Sequence, residues 1–522
     1  MINAFCVDFN ALRAGGDAPV VTLLPPVTST VQQVRYVRLQ TDGARPTTQT
    51  DFMQNITKAV DAAGASSQPV VRLPAPHIAE HAAELLTRLF RGLENTVPLR
   101  LWNGKLLKLG NAGKRALSSE SDHFTLVFRS PSAVREMVFG RDPLRLAEVY
   151  FRDDMDIEGD FFAALGLKDH LRAIRMSWRD RSGALVAALR LILADRNAPP
   201  KTTVRASLHG ASVKEHSKTE NRDAIAFHYD VSNDFYALWL DDAMVYSCAY
   251  FQRPDDDLDR AQQAKLDHVC RKLMLNPGDT MLDIGCGWGA LVIHAALHYG
   301  VRAHGITLSQ QQLSLARERI AKAGLQERVT VALCDYRDLP KHLHYDKVSS
   351  VGMFEHIGLK NLPLYFAKVH QILKPGGLFL NHGITHDVEG WKKTLSSEFI
   401  NRYVFPDGQL DTIGNIQRVM ERVHFEINDV ESLRPHYALT LRHWVARLES
   451  HHEQALHYVS ESTWRVWRLY MAACALEFET GEIGVYQVLA SKRAGRAAEL
   501  PLTRDHLYPN IRMESILAPK PH

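Results

Sequence analysis

Cysteine is scarce in this chain and occurs only as isolated residues. Six cysteines are spread over 522 residues, and no two of them form a CxxC pair. They are Cys6, Cys248, Cys270, Cys286, Cys334 and Cys474. Disulfide-rich secreted domains and zinc ribbons both need cysteines at short, repeated spacings. The sequence therefore argues against either class and favours a protein of the reducing cytoplasm.

Long apolar runs and a strong net charge are also lacking. The most apolar stretch, residues 183–194, is too short to span a bilayer and contains Arg190. The first residues lack a basic segment followed by an apolar core, so they do not look like a secretory signal. A formal net charge of +3 argues against a strongly cationic nucleic-acid-binding protein. We therefore expect no nucleic-acid partner, and any membrane contact should be peripheral.

Changes in composition divide the chain into four parts. The first is rich in Thr, Pro, Gly, Ala and Gln, as poorly ordered segments are. The second has a helical apolar stripe from Ile78 to Leu89 and a hairpin signal at Asn103-Gly104, while the third carries Pro199-Pro200 without apolar periodicity. The predicted parts are a poorly ordered extension (1–73), a small α+β domain (74–195), a linker (196–222) and a catalytic domain (223–522).

A long basic helix is predicted near the end of the small domain, over about residues 167–193. It carries Arg172, Arg175 and Trp178 beside apolar residues such as Leu171. Such a helix is suited to an anionic membrane surface. The domain would then bind lipid or membrane, and Arg175 would be one of the residues in contact with it. The alternative is an ordinary surface helix whose apolar stripe packs inward. The pattern leaves both interpretations open.

The most informative stretch is a predicted strand that ends at a glycine cluster and resumes as a helix. Thr280 to Ile284 is followed by GxGxG, in which Gly285 and Gly287 are the first two glycines. Glycines at such a corner permit positive φ and close approach of a ligand, and the helix behind them offers free N–H groups. An ordinary strand-turn-helix corner has the same pattern. With Asp283 near the end of the strand, however, the stretch resembles motif I of the class I S-adenosylmethionine (SAM) dependent methyltransferases.

Strands and helices alternate after this corner, which predicts an α/β fold with a doubly wound, mostly parallel sheet. Ligands of such sheets lie at the carboxyl ends of the strands. After the second strand, Thr307 and Gln312 are placed to bond ribose hydroxyls, although Ser309 and Gln312 also form a capping box that needs no ligand. After the third, Asp335 and Tyr336 stand where an adenine-contacting pair lies in such enzymes, with a plain surface turn as the alternative.

Six short motifs sharpen the resemblance. They are His228-Tyr229-Asp230, Tyr246-Ser247-Cys248-Ala249-Tyr250, Leu282 to Gly289, Thr307-Leu308-Ser309, Val351 to Gly358 and Asn401 to Gly408. In this order they resemble the cyclopropane-fatty-acyl-phospholipid synthase family, to which the mycolic acid cyclopropane synthases are related. The resemblance covers about residues 222–493. It implies a Rossmann-like class I SAM-methyltransferase fold with helical lid insertions, a homodimer, and a cytoplasmic enzyme peripherally associated with the inner membrane.

The resemblance also implies a reaction. A cis double bond of an unsaturated phospholipid acyl chain takes the methyl carbon of SAM, and a bound bicarbonate ion removes a proton as the cyclopropane ring closes. This chemistry needs a dry apolar channel, aromatic faces near the carbocation, and a base that does not react with it. Placed by motif, the SAM-binding residues would be Tyr246, Ser247, Asp283, Gly285, Gly287, Thr307, Gln312, Asp335 and Tyr336.

Carried over by motif, the bicarbonate would be held by Cys248, Glu355, His382, Tyr437 and the backbone of Ile384. Each has an ordinary alternative, because an isolated cysteine is more often a small buried hydrophobe and a histidine at a strand end is more often structural. A metal site built from Glu355, His356 and His382 lacks the support of an HExxH or CxxC spacing, so no metal is expected.

Segments beyond a minimal methyltransferase, predicted as helices over residues 391–400, 437–458 and 461–481, are candidates to roof an acyl channel. Two other functions stay open. One is an enzyme that methylates the acyl chain without closing the ring, or that acts on a small amphiphile. The other is a lipid-binding or regulatory protein with an inactive methyltransferase fold, against which the intact glycine motif and Glu355 argue.

Overall fold

The computed structural model describes nine stretches of the chain. They are residues 76–93, 96–110, 124–139, 144–172, 178–194, 232–390, 395–405, 408–493 and 500–508. The predicted extension at 1–73, the linker at 196–222 and Arg175 lie outside the described residues. Among the described residues, no helix has both the length and the apolar character needed to cross a bilayer.

The N-terminal unit is a four-stranded sheet flanked by helices. Its elements are α1 (Pro76–Leu89), β1 (Val97–Arg100), β2 (Leu106–Leu109), β3 (Phe124–Phe128), α2 (Pro131–Phe139), α3 (Leu144–Phe151), β4 (Met155–Gly159), α4 (Phe161–Arg172) and α5 (Trp178–Ala194). The strand order is β2-β1-β3-β4. The predicted hairpin is confirmed, with Gly104 at φ +81° in the turn between β1 and β2. The sheet and α1 enclose an apolar core, as an α+β unit requires.

The prediction of one long helix over 167–193 is wrong. The structure has two helices, α4 and α5, and a preceding strand, β4, that the sequence interpretation missed. Asp160 explains why α4 begins early: its carboxylate accepts the N–H of Ala163 at 3.0 Å and so satisfies one of the free donors of the first turn. Strand β4 is only five residues long, and its pairing with β3 makes it recognisable as a strand.

The catalytic unit is built on a seven-stranded sheet of order β10-β11-β9-β8-β5-β6-β7. Its strands are β5 (Thr280–Ile284), β6 (Arg302–Thr307), β7 (Val329–Leu333), β8 (Tyr345–Val351), β9 (Leu373–His386), β10 (Phe425–Ser432) and β11 (Ile483–Lys492). Strands β5 to β9 are parallel, and β11 and β10 extend the sheet antiparallel. The predicted mostly parallel Rossmann-like sheet is confirmed.

Helices connect and cover these strands. They are α6 (Asn233–Ala237), α7 (Leu258–Lys272), α8 (Ala290–Tyr299), α9 (Gln310–Lys322), α10 (Leu362–Ile372), α11 (Leu395–Tyr403), α12 (Ile413–Arg422), α13 (Arg434–Ser450), α14 (His452–Ala455) and α15 (Glu461–Thr480). Three of them correct predicted boundaries: α11 replaces 391–400, and α13 with α14 replaces one helix at 437–458. Helix α15 matches its prediction and ends at Gly481, whose φ of +87° forms a left-handed cap.

The N-terminal unit packs directly on two helices of the catalytic unit, α11 and α15, which we call the lid helices. The buried guanidinium of Arg465, on α15, donates to Asp156 at 3.2 Å and to the carbonyl oxygen of Tyr150 at 3.3 Å. Beside it, the Tyr403 hydroxyl of α11 donates to Glu148 at 2.8 Å. Apolar residues of both units belong to one continuous core. The lid and the small domain therefore support each other.

Candidate active site

A glycine corner joins β5 to α8 at the carboxyl edge of the sheet. Gly285 has φ +82° and Gly289, the residue before α8, has φ +83°, a region that side-chain-bearing residues rarely adopt. The N–H groups of Gly285 and Cys286 both donate to the carbonyl of Ile306 at 2.9 Å, which ties the corner to β6. The backbone thus turns sharply and leaves open space above the sheet.

Asp283 is a buried acid beneath this corner. Its carboxylate accepts a hydrogen bond from the Ser349 hydroxyl of β8 at 2.6 Å. Burial raises the pKa of Asp283 to about 6, against the lowering effects of Ser349 and of the Lys265 charge. Its carboxylate is therefore largely ionised at neutral pH and offers a negative charge to a cationic ligand group.

A cavity of about 120 Å³ lies over the glycine corner and the ends of β5, β6 and β8. Eight of the nine predicted SAM-binding residues line it: Tyr246, Ser247, Asp283, Gly285, Gly287, Thr307, Gln312 and Tyr336. The ninth, Asp335, does not, because its carboxylate accepts the N–H of Arg337 at 2.9 Å and bonds the Arg337 guanidinium as well. Its neighbour Cys334 lines the cavity instead.

The segment after β6 has the predicted cap, and two of its residues, Thr307 and Gln312, line the cavity. The Ser309 hydroxyl accepts the N–H of Gln312 at 3.3 Å, as in one half of a capping box. The other half is replaced, since the Gln312 side-chain oxygen accepts from the Thr307 hydroxyl at 2.6 Å. The cap therefore orders Thr307 and Gln312 at the cavity wall, where both are available to a ligand.

Glu355 lies in a short turn after β8 and faces the end of β9. Its Oε1 accepts the N–H of Ile384 at 2.7 Å, while its Oε2 is buried with no hydrogen-bond partner among the described residues. Burial raises the pKa of Glu355 to about 7. A Cβ on Gly383 would lie 2.8 Å from Glu355 Oε1 and 2.2 Å from the Phe354 ring, so only glycine permits this approach.

His382 offers a buried nitrogen on β9, two residues before the Ile384 N–H that bonds Glu355. Its Nδ1 faces the Gln487 amide nitrogen at 3.1 Å, so Nδ1 accepts and the ring proton resides on Nε2. Nε2 is buried without a partner in the described part of the chain. Burial lowers the pKa of His382 to about 3, so the ring is neutral near pH 7. A free N–H and a free carboxylate oxygen therefore share the end of β9.

Cys248 and Tyr437 connect to the same strand end through backbone contacts. The fully buried Cys248 thiol lies 3.3 Å from the carbonyl oxygen of Ala249 and 3.7 Å from that of Leu433, and burial raises its pKa well above the usual range. Leu433 in turn donates its N–H to Val485, which pairs with Ile384. Tyr437 follows one turn later and donates its N–H to the Leu433 carbonyl. The structure thus joins Glu355 directly to Ile384, places His382 two residues earlier on the same strand, and joins Cys248 and Tyr437 to Leu433.

Several lining residues escaped the sequence interpretation. Lys265, Trp288, Met353 and His356 all line the cavity. Trp288 lies within the glycine motif itself, which was a usable signal. Lys265 gave none, because it is one of many polar residues on an amphipathic helix. In the described residues, no three His, Cys, Asp or Glu side chains are grouped so that they could hold a metal ion.

Aromatic rings form the wall between the cavity and the lid. The Tyr246 ring lies 5.3 Å from that of Trp444 and 5.4 Å from that of Trp239, measured between centroids. Trp464, Trp467, Tyr470 and Phe478 of α15 are buried, which confirms the prediction that they belong to the core. Trp467 nevertheless packs against Tyr246, so the core extends to the ligand cavity. This side of the cavity is therefore walled by packed aromatic rings.

The sheet order and the cavity at its glycine corner are those of a class I SAM-dependent methyltransferase. Within that class, the model of the family described as mycolic acid cyclopropane synthetase matches residues 216–488. The match spans more than half of the sequence, and the chain belongs to this family.

Individual relatives agree with the assignment. A protein described as a probable fatty acid methyltransferase of Pseudomonas putida is 41% identical over 78% of this chain and 95% of its own length. Cyclopropane-fatty-acyl-phospholipid synthase of Escherichia coli K12 is 42% identical over 51% of this chain and 66% of that protein. Among solved structures, the chain is similar to mycolic acid cyclopropane synthase CmaA1 complexed with SAH and CTAB, with a TM-score of 0.50 and 34% sequence identity. The match covers 54% of this chain and 100% of that one.

Proposed function

We propose that this enzyme transfers a methylene carbon from SAM to a cis double bond of an unsaturated phospholipid acyl chain and closes a cyclopropane ring. The observation that carries the proposal is that two buried polar atoms near the end of β9, Glu355 Oε2 and His382 Nε2, have no hydrogen-bond partner among the described residues. Neither residue lines the SAM cavity itself. They form a second polar group beside it, where ring closure needs a base.

The residues around the cavity fit SAM. The cavity is lined by the glycine backbone, the buried acid Asp283 and polar residues at the strand ends. The similar CmaA1 structure is described as complexed with SAH. When bound, SAM supplies an electrophilic methyl group. Asp283 provides a negative charge for its cationic amino-acid end, while Thr307 and Gln312 provide hydrogen-bonding groups for the ribose. The aromatic wall around Tyr246 excludes water from the acyl chain.

The group at β9 fits bicarbonate. Bicarbonate has an O–H to donate and oxygens that accept, and it would supply a base that withdraws the proton lost on ring closure. Glu355 Oε2 is a free acceptor and His382 Nε2–H a free donor within the described part of the chain, so each offers a contact that complements one part of the ion. Because burial keeps His382 neutral, the site adds no positive charge next to a developing carbocation.

A methyl-branched or methylene product is the second candidate. It is favoured by the Pseudomonas relative, which carries the description of a fatty acid methyltransferase and covers more of this chain than the cyclopropane synthase does. The same alkylation step serves both outcomes. They differ in how the carbocation is quenched. Loss of a proton from the new methyl group, with bonding of that carbon to the cationic carbon, closes the ring. Loss of the proton on the carbon that carries the methyl group leaves a methyl-branched alkene, and a hydride shift followed by proton loss from the methyl group leaves a methylene branch.

Lipid mass spectrometry tests the proposal directly. The purified enzyme is incubated with SAM and vesicles of an unsaturated phosphatidylethanolamine, with and without added bicarbonate. We expect a gain of one CH₂ per modified chain, resistance of that chain to ozonolysis, and a lower rate when carbon dioxide is removed. An ozone-sensitive product of the same mass would establish the branched alternative. SAM binding without any gain in mass would contradict both acyl-chain functions.

Membrane delivery of the substrate is part of the proposal, and helix α5 supports it. Leu185, Leu189 and Leu193 form a row along α5 and are 60%, 51% and 64% exposed. The opposite side of α5 packs small residues such as Ala187 against α1. One face of α5 therefore packs inward, as one of the two alternatives expected, and its exposed apolar row supports the proposal of a membrane contact. We place the enzyme at the cytoplasmic face of the inner membrane, as a homodimer.

Replacing the exposed row should weaken membrane binding. The double variant Leu185→Gln, Leu189→Gln is expected to bind vesicles containing anionic phospholipid about tenfold more weakly, because it removes apolar area that would enter the interface. Vesicle sedimentation measures the change. Leu364→Gln, at an equally exposed leucine of the catalytic unit, is the matched control. If the unmodified protein, the double variant and Leu364→Gln bind vesicles equally well, α5 does not take part in the membrane contact.

A further inference from the structure

Lys265 is a buried lysine in the wall of the SAM cavity. It lies on α7, only 3% of its surface is exposed, and its ammonium donates to the Ser247 hydroxyl at 3.0 Å. Gln262, one turn earlier, donates to the Ser247 carbonyl at 2.9 Å. Helix α7 therefore holds both ends of Ser247 and fixes the direction of its hydroxyl at the cavity.

The charge of Lys265 is not neutralised by an ion pair. Among the described residues, no carboxylate lies within ion-pair distance of its ammonium, and the bond to Ser247 uses one of its three protons. Asp241 and Asp283 attract it from farther away, and Cys248 and Cys270 are the other titratable groups that act on it. Leaving a buried cation without an anion is costly. Lysine at this position is understandable if the cavity receives an anionic group.

We propose that Lys265 and Ser247 form the subsite for the carboxylate of the amino-acid end of SAM. This inference rests on the proposed use of SAM. The cavity then carries one positive charge at Lys265 and one negative charge at Asp283, which matches the carboxylate and the ammonium of an α-amino acid. Among the described lining residues, Lys265 is the only lysine or arginine, so no second cation competes for the role.

The subsite positions the cofactor, and Lys265 is a positioning residue. Holding the carboxylate at α7 and the ammonium near β5 fixes two points of the amino-acid end, and these determine where the attached sulfonium sits. Burial lowers the pKa of Lys265 to about 8, so the group still carries its charge at neutral pH. A bound carboxylate would strengthen that charged state further.

The test compares three ligands on Lys265→Met, which keeps the length of the side chain and removes its charge. The ligands are SAM, decarboxylated SAM, which lacks only the carboxylate, and methylthioadenosine, which lacks the whole amino-acid end. Calorimetry gives the affinity of each. The parent should prefer SAM to decarboxylated SAM about ten- to a hundredfold, as a hydrogen bond to a charged group provides. The variant should lose this preference and bind methylthioadenosine unchanged.

Other results separate the possibilities. If Lys265→Met lowers the affinities for SAM and for decarboxylated SAM by the same factor, the lysine has only a structural role and the subsite is overturned. The subsite is also overturned if the unmodified protein binds the two ligands equally well. If Lys265→Met no longer binds methylthioadenosine, the substitution has damaged the cavity as a whole. Lys265→Gln is then tested instead, again by the ratio of its affinities for SAM and decarboxylated SAM. Lys322→Met, at an exposed lysine of α9, is the control and should behave as the parent. Failure of the parent to bind SAM at all would contradict the proposed function, not this subsite alone.

Discussion

Glu355→Gln should lower the rate of acyl-chain modification about a thousandfold, within the range that a positioned acid–base group contributes. The amide keeps the size of the side chain and its bond to the Ile384 N–H. It replaces a carboxylate by a neutral group, so an ion that needs an acceptor for its O–H is no longer oriented. Because Glu355 does not line the SAM cavity, SAM affinity should stay within a factor of about two of the parent value. Single-turnover rates and calorimetry measure the two quantities.

The pH profile provides an independent check on Glu355. Burial raises its pKa to about 7, so the carboxylate form grows as the pH rises through that value. At a fixed bicarbonate concentration, the rate of the parent should therefore increase between about pH 6 and pH 8, and the residual rate of Glu355→Gln should not. Glu327→Gln, at an exposed glutamate, serves as the control and should follow the parent. Nearly full activity in the Glu355→Gln variant would exclude the proposed ion site.

Arg465→Met should destabilise the contact between the two units by about 3 kcal/mol, as expected when one partner of a buried ion pair is removed. Methionine fills most of the space. The carboxylate of Asp156 and the carbonyl of Tyr150 would then lose donors in a region that water reaches poorly. Hydrogen exchange of peptides from α3, β4 and α15 measures the local opening free energy, which should fall by this amount.

The matched control for Arg465 is Arg260→Met. Arg260 pairs with Asp256 at 3.4 Å, but its own side chain is 57% exposed, and Asp256 keeps Arg253 as a partner at 3.2 Å, so its removal should cost no more than about 1 kcal/mol. Exchange in β4 should not change in this variant. If Arg465→Met and Arg260→Met have equally small effects, the Arg465 ion pair does not hold the small domain to the catalytic unit.

Much of the catalytic unit was predictable because its signals are local. The strand before Gly285 and the helix after Gly289 were both found, since a glycine corner between two apolar segments is a property of neighbouring residues. Strands β10 and β11 were missed. They are recognisable only through their antiparallel pairing with each other and with β9, and β10 is half-exposed along most of its length. Pairing across such sequence distances is not encoded in a local pattern.

The site divides in the same way. Residues that lie in motifs, such as Ser247, Asp283 and Glu355, were named from the sequence, and the structure places the first two at the cavity. Lys265 was not, because its role depends on a hydrogen bond to Ser247 across a turn of the chain. Asp335 shows the opposite case: its position was suggestive, but its carboxylate bonds Arg337 and lies outside the cavity lining.

The sequence by itself determined the class of fold, the family and the chemical inventory of the site, because these follow from local periodicity and from the order of short motifs. Only the tertiary structure decided which of those groups are free to act. Burial raises the pKa of Glu355, the lack of a side chain at Gly383 lets its carboxylate reach Ile384, and Gln487 sets the tautomer of His382. Each effect arises between residues far apart in the chain, where desolvation and hydrogen bonding depend on the packed structure.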